Sequence, residues 1–195
     1  MKTALLEHLA CPACETTSEL ALESAEYRDG DVYAGQLVCG RGHAYPIDQG
    51  VPDFVETDDP VAPHSGVYDL LWDAHPHQHY ANRISEYRQK FQRFANLPEP
   101  LEQYFRDRWV LDVGCGQGRF SYLASALGAR HVVAVDYSRE ALRQAIAGTG
   151  NPSNCSFIRA NLLRLPLKPA VFDYVFSFGV LHHTPEPKAS YRAIL

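Results

Sequence analysis

The sequence predicts an α/β protein: a doubly wound, mostly parallel sheet preceded by a small β-rich unit. Three features carry this. Beyond Trp109, short apolar runs alternate with stretches of helical periodicity. A glycine-rich turn, Gly114-Cys115-Gly116-Gln117-Gly118, joins the first apolar run to the first helical stretch. Near the start, Cys11-Pro12-Ala13-Cys14 and Cys39-Gly40-Arg41-Gly42-His43 form two short ligand pairs.

The elements follow in order. Val32 to Val38 and Ala44 to Ile47 read as short strands, broken by Asp29-Gly30-Asp31 and Gly40, the composition of hairpins around a metal. A Pro and Asp cluster from Asp58 to Pro63 reads as a linker. From Tyr68 to Tyr104 helices are expected, because Leu70-Leu71-Trp72 and then Ile84, Tyr87, Phe91 and Phe94 fall at helical spacing. Trp109–Val113 should be a strand, Arg119–Leu127 a helix, His131–Val135 a strand and Ser138–Ala147 a helix. Strands near Ser156–Ile158 and over Phe172–Phe178 follow, then a helix opening at Pro187. The expected units are a ribbon over 1–57, linker and helical cover over 58–104, and a sheet domain over 105–195. Strand order 3-2-1-4 is expected, with further strands of such a sheet missing after Leu195 and the edge of the fourth unpaired.

Composition narrows the class. The 195 residues are 46% hydrophobic and 21% charged, with net charge −5. No apolar run approaches the roughly 20 residues of a membrane helix, so no membrane partner is expected. The start resembles a lipidation signal only in part, since Glu7 and His8 interrupt its apolar stretch. Without such a signal, the five cysteines fit a metal site in a reducing cytoplasm better than a disulfide framework. Charge is unevenly spread. Residues 1–60 hold three basic and twelve acidic residues, net −9; from Val110 onward nine basic and five acidic residues give net +4. An acidic ribbon is a poor partner for a polyanion.

Cys11, Cys14, Cys39 and His43 suit tetrahedral Zn²⁺, because two turns can each bring two ligands to one ion. Four protein ligands close the coordination sphere, so the metal is expected to be structural, holding a unit too small for its own core. With the Tyr45-Pro46-Ile47 and Gly50-Val51-Pro52 that follow, this segment resembles the zinc ribbon of certain ribosomal RNA guanine methyltransferases. It is also similar to small Trm112-like activator proteins. That resemblance leaves room for a protein partner at the ribbon.

Val110-Leu111-Asp112-Val113-Gly114-Cys115-Gly116-Gln117-Gly118-Arg119 places a glycine turn between strand and helix, where backbone can approach a ligand closely. Asp136 ends the next strand, positioned to take both ribose hydroxyls of a nucleoside lacking a 2′-phosphate. Its other reading is a helix N-cap, a role Ser138 could fill. The GxGxG spacing, with an acid two residues before the first glycine, resembles motif I of class I (Rossmann-like) methyltransferases of the type 11-like group. Ala160-Asn161-Leu162 is similar to that family's adenine segment, with Asn161 where Asp is usual. Phe172-Asp173-Tyr174-Val175-Phe176-Ser177-Phe178-Gly179-Val180-Leu181-His182-His183-Thr184 resembles its motif IV.

The resemblance implies an S-adenosyl-L-methionine-dependent methyltransferase. It implies a cofactor set of Asp112, Gly114, Cys115, Gly116, Gly118, Asp136, Tyr137, Asn161, Leu162, Phe178 and Gly179. His182 and His183 are the candidate bases if the acceptor is protonated, although paired histidines there could equally hold the turn. Cys115 reads as a small packing residue. His75, His77 and His79 could bind metal or simply face solvent. A small-molecule acceptor is expected, since the acidic ribbon disfavours nucleic acid. An RNA base is the alternative, and a cofactor-binding scaffold without activity is another.

Overall fold

A computed structural model describes residues 1–14, 18–56, 59, 69, 70, 72, 80–184 and 186–194. His75, His77 and His79, and nearly all of the expected linker, lie outside these residues.

The N-terminal unit is an antiparallel meander: β1 (Leu20–Arg28), β2 (Asp31–Cys39), β3 (Ala44–Asp48) and β4 (Val51–Pro52), in that spatial order. Asp29 and Gly30 connect β1 to β2, both at positive φ (52° and 84°), the conformation of a tight hairpin turn. The two strands expected here are present, each slightly longer. The sequence signal for β1 was absent, because Leu-Ala-Leu-Glu-Ser-Ala-Glu-Tyr-Arg is rich in poor strand formers. Pairing with β2 along most of its length supplies what propensity does not.

The second unit contains α1 (Ile84–Ala95), α2 (Glu102–Phe105), β5 (Trp109–Val113), α3 (Arg119–Ala126), β6 (His131–Asp136), α4 (Arg139–Thr149), β7 (Cys155–Arg159), β8 (Tyr174–Phe176) and α5 (Pro187–Ala193). Its parallel sheet runs β7-β6-β5-β8, the expected 3-2-1-4 order. Strand β8 is shorter than Phe172–Phe178, since only Tyr174 to Phe176 pair with β5. Helix α4 starts where its cap dictates: the Ser138 hydroxyl accepts from Ala141 N at 3.0 Å, and Gly150, at φ 73°, ends it in a left-handed turn.

Alternation along the strands gives the sheet two apolar faces. Val110, Val132, Ala134 and Phe157 join Phe91, Phe120, Leu123 and Leu142 beneath α1, α3 and α4. Leu111, Val113, Val133, Val135 and Ile158 face the opposite way and form one core with Leu5, Leu9, Val32, Leu37, Ile47 and Phe54 of the ribbon. The ribbon therefore covers a face that parallel sheets must bury. It also guards an edge: Asp53 bridges Arg159 in parallel, and Phe54 N donates to Arg159 O at 2.8 Å.

This packing changes the meaning of the charge asymmetry. Arg139 reaches Asp48 (3.5 Å) and Asp53 (2.6 Å), Arg159 reaches Asp53 (3.0 Å), Arg164 reaches Glu56 (3.8 Å) and Lys168 reaches Glu19 (3.3 Å). Several ribbon acids thus meet bases of the sheet domain. Four of the twelve acids in residues 1–60 are paired in this way, so part of the charge separation is complementarity between two parts of one chain. Among the described residues no helix is long and apolar enough to cross a membrane.

Candidate functional site: a cavity at the carboxyl ends of the parallel strands

The carboxyl ends of β5, β6, β7 and β8 surround a cavity of about 630 Å³, within the several-hundred-Å³ range of small-molecule sites. Open sheets of this topology bind ligands at that end because the chain reverses direction there and leaves a crevice.

The glycine turn forms its floor. Gly114 N and Cys115 N donate to Val135 O at 2.7 and 3.0 Å, fastening the turn across the end of β6. Gly114 has φ 75°, and a Cβ there would sit 2.5 Å from Val180. A side chain is therefore excluded twice, by backbone and by space. Gly118 is set back from the cavity: its missing Cβ lets Ala145 approach, and α4 packs tightly against the turn.

Two carboxylates stand at the strand ends. Asp112 is 3% exposed and accepts from the Ser121 hydroxyl at 2.6 Å. Burial pushes its pKa up to about 7. Asp136 takes Gly116 N at 2.7 Å on one oxygen and Ser138 N at 2.9 Å on the other. Its pKa is also raised, chiefly by burial, against the pull of those backbone donors. Asp136 thereby fixes the glycine turn to the end of β6, and Ser138 caps α4.

Of the residues singled out in the sequence, Asp112, Gly114, Cys115, Gly116, Asp136, Tyr137, Asn161, Leu162, Phe178 and Gly179 all line the cavity. His183 lines it and His182 does not; both are exposed, their ring centroids 3.9 Å apart. Cys115 is buried, and burial raises its thiol pKa well above the ordinary value, which suits packing rather than nucleophilic attack.

Other wall residues were not foreseen, among them Trp72, Gln117, Arg119, Phe120, Ser138 and Thr184. Trp72 precedes the sheet domain by more than thirty residues, and its ring lies 3.1 Å from where a Gly116 Cβ would be. Gln144, 2% exposed, holds it there. Its Nε2 donates to Trp72 O at 2.7 Å, while its Oε1 accepts from Gln117 Nε2 at 2.7 Å. A glutamine inside an amphipathic helix gives no such signal in sequence.

Elsewhere, Sγ of Cys11, Cys14 and Cys39 and Nδ1 of His43 lie within 4.8 Å of one another. Four of their separations, 3.3 to 4.0 Å, bracket the edges of a tetrahedron of zinc-ligand bonds, about 3.6 to 3.8 Å. The Tyr45 hydroxyl approaches Cys11 Sγ at 3.3 Å, an outer-shell donor for a thiolate. The four sequence-named ligands are therefore together, and the donor set fits zinc.

Two family descriptions match the chain: a methyltransferase domain over residues 110–194 and a Trm112p-like protein over residues 2–50. Among curated proteins, the chain is similar to the tRNA U34 carboxymethyltransferase of Shewanella halifaxensis, 38% identical over 104 residues. That match covers 50% of this chain and 29% of the relative. The protein of the same name from Haemophilus ducreyi is 36% identical over 131 residues, covering 60% and 37%. The chain thus spans roughly a third of the length of the curated relatives it matches. Among solved structures, an S-adenosylmethionine-dependent methyltransferase from Mesorhizobium loti aligns with TM-score 0.46 and 28% identity, over 55% of this chain and 46% of that one. A chain from the complex between the Haloferax volcanii Trm112 methyltransferase activator and a methyltransferase aligns with TM-score 0.48 and 22% identity, over 65% of this chain and 53% of that one.

Proposed function

We propose, for a chain that joins a Trm112p-like domain to a methyltransferase domain, that it binds S-adenosylmethionine in the strand-end cavity and serves methyl transfer to a tRNA base. The observation that carries the cofactor reading is the convergence of glycine turn, Asp112, Asp136 and Asn161 on one cavity of about 630 Å³. The tRNA acceptor replaces the small molecule expected from sequence. It is supported by the names of the curated relatives. A protein that handles tRNA would work in the cytoplasm.

The cofactor, when bound, supplies an electrophilic methyl group on a sulfonium. The protein's share is placement and exclusion of water. In this reading Asp112 faces the methionyl ammonium, Asp136 the ribose hydroxyls, and Asn161 and Leu162 the adenine. Phe178 and Gly179 wall the acceptor side. His183 is the histidine placed to accept a proton at its ring nitrogen, since it reaches the cavity wall and His182 does not.

Calorimetry with S-adenosylhomocysteine tests the cofactor: saturable binding is expected, whereas binding of NAD in its place would sink the reading. Label transfer from methyl-tritiated S-adenosylmethionine to bulk tRNA, with a metabolite extract as the control acceptor, tests the acceptor. For the ribbon we assign one structural Zn²⁺ to Cys11, Cys14, Cys39 and His43, to be checked by elemental analysis of the purified chain.

A further inference from the structure

At the last turn of α1, Phe94 is 49% exposed beside an exposed Arg93. The same helix turns Tyr87 and Phe91 into the core, as an amphipathic helix on a sheet should. Phe94 instead leans outward against two rings of the cavity wall. Its centroid lies 5.8 Å from that of Phe178 and 6.3 Å from that of Phe120, and those two rings meet edge to face at 5.4 Å.

Cations flank these rings. The Arg93 guanidinium carbon is 5.4 Å from the Phe94 centroid, and that of the exposed Arg119 is 4.9 Å from the Phe120 centroid. Other cations on and near α1 are held by acids: Arg88 by Glu99 and Glu102, Lys90 and Arg83 by Glu86. Among the described residues no ion pair engages Arg93 or Arg119. Phe120, Phe178 and Arg119 all line the cavity, so this patch is its rim.

We propose that Phe94, Phe178, Arg93 and Arg119 form the acceptor subsite, which takes an unpaired base of single-stranded RNA by stacking while the arginines meet the flanking phosphates. The proposal rests on the cavity being the cofactor site. A metabolite held inside the cavity would leave a half-exposed ring outside it without a partner. A polynucleotide supplies both a flat π-face for the ring and negative charge for the arginines. A duplex hides its base faces, so the subsite selects loops over stems.

The test uses the full 195-residue chain with S-adenosylhomocysteine, an RNA hairpin carrying 2-aminopurine in its loop, and a blunt duplex of the same stem. The hairpin should bind more tightly than the duplex, with its emission quenched by stacking. Phe94→Ala should weaken hairpin binding by about tenfold and remove the quench, Phe94→Trp should keep both, and S-adenosylhomocysteine affinity should stay level in each variant. Arg93→Ala should weaken hairpin and duplex alike and flatten the salt dependence. Unchanged hairpin binding in Phe94→Ala, or equal affinity for duplex and hairpin, overturns the subsite. Binding of S-adenosylhomocysteine with no affinity for the hairpin overturns the subsite while leaving the cofactor reading standing; failure to bind S-adenosylhomocysteine removes the cofactor reading itself.

Discussion

Asp59 holds Asn161: both oxygens of the Asp59 carboxylate accept from Asn161 Nδ2, at 3.0 and 3.2 Å. The Asn161 carbonyl in turn accepts from Leu163 N at 3.0 Å and caps the short helical turn Leu162–Arg164. The amide orientation is therefore set from two sides, with its nitrogen toward Asp59 and its oxygen toward the turn. An acid at position 161 would face a second carboxylate across hydrogen-bonding distance.

From this contact follows a counterintuitive result for Asn161→Asp. Restoring the residue usual in the resembling motif should lower S-adenosylhomocysteine affinity about tenfold, because like charges at this separation disfavour the bound geometry. The reciprocal exchange Asp59→Asn with Asn161→Asp should regain most of the loss. A double-mutant cycle by calorimetry measures this; additive losses would show that the two residues act independently.

Asp112 ties the site to pH. Its folded pKa of about 7 lies above the ordinary value of 3.8, so burial disfavours its charged form. The sign is fixed by linkage: between about pH 4 and pH 7 the unfolded chain ionises this group first. Its contribution to stability therefore falls as pH rises, then levels off above the folded pKa, with a ceiling of about 4 kcal/mol. Asp112→Asn should melt higher than wild type near pH 8 and lose that advantage near pH 4. If the proposed cofactor pose holds, it should also bind S-adenosylmethionine more weakly, since the carboxylate opposite the ammonium is lost. A melt difference that does not vary with pH would place the titration elsewhere.

The sequence reading reached the strand order and most of the cavity wall, because both follow from local signals. Apolar runs of period-two or buried-strand type mark β5 to β7, and the glycine turn marks the crevice. What it missed depends on contacts far apart in the chain. Strand β1 exists through pairing with β2, Gln144 reveals its purpose only once Trp72 lies across the glycine turn, and Asp59 is an ordinary linker acid until it meets Asn161. The −9 and +4 charges were legible, but their meaning was not. Only the packed faces show Asp53 between Arg139 and Arg159.

Loss of the zinc proposed for the ribbon ligands should reach beyond the ribbon. Leu5, Leu9, Val32 and Ile47 share a core with Leu111, Val133 and Ile158, so the two units should unfold in one transition rather than two. Cys39→Ser, or a strong chelator, should lower the melting temperature of the whole chain and weaken S-adenosylhomocysteine binding with it. Scanning calorimetry that resolves a ribbon transition from an unshifted second one would show the units to be independent.

Asp53 gives the sharpest measure of that interface. It is 7% exposed, accepts from Arg159 at 3.0 Å and from Arg139 at 2.6 Å, and sits where the ribbon borders β7. Removing it strands a guanidinium, and Arg159, at 19% side-chain exposure, can recover little hydration. Arg139 is 57% exposed and loses less. Asp53→Ala should therefore cost about 2 kcal/mol in urea unfolding, below the full penalty of a wholly buried pair. Asp53→Ala in an Arg159→Met background should cost much less, because the largely buried guanidinium is gone and only the exposed Arg139 loses a partner. Equal costs in the two backgrounds would assign the effect to the strand-edge backbone contact of Phe54 instead.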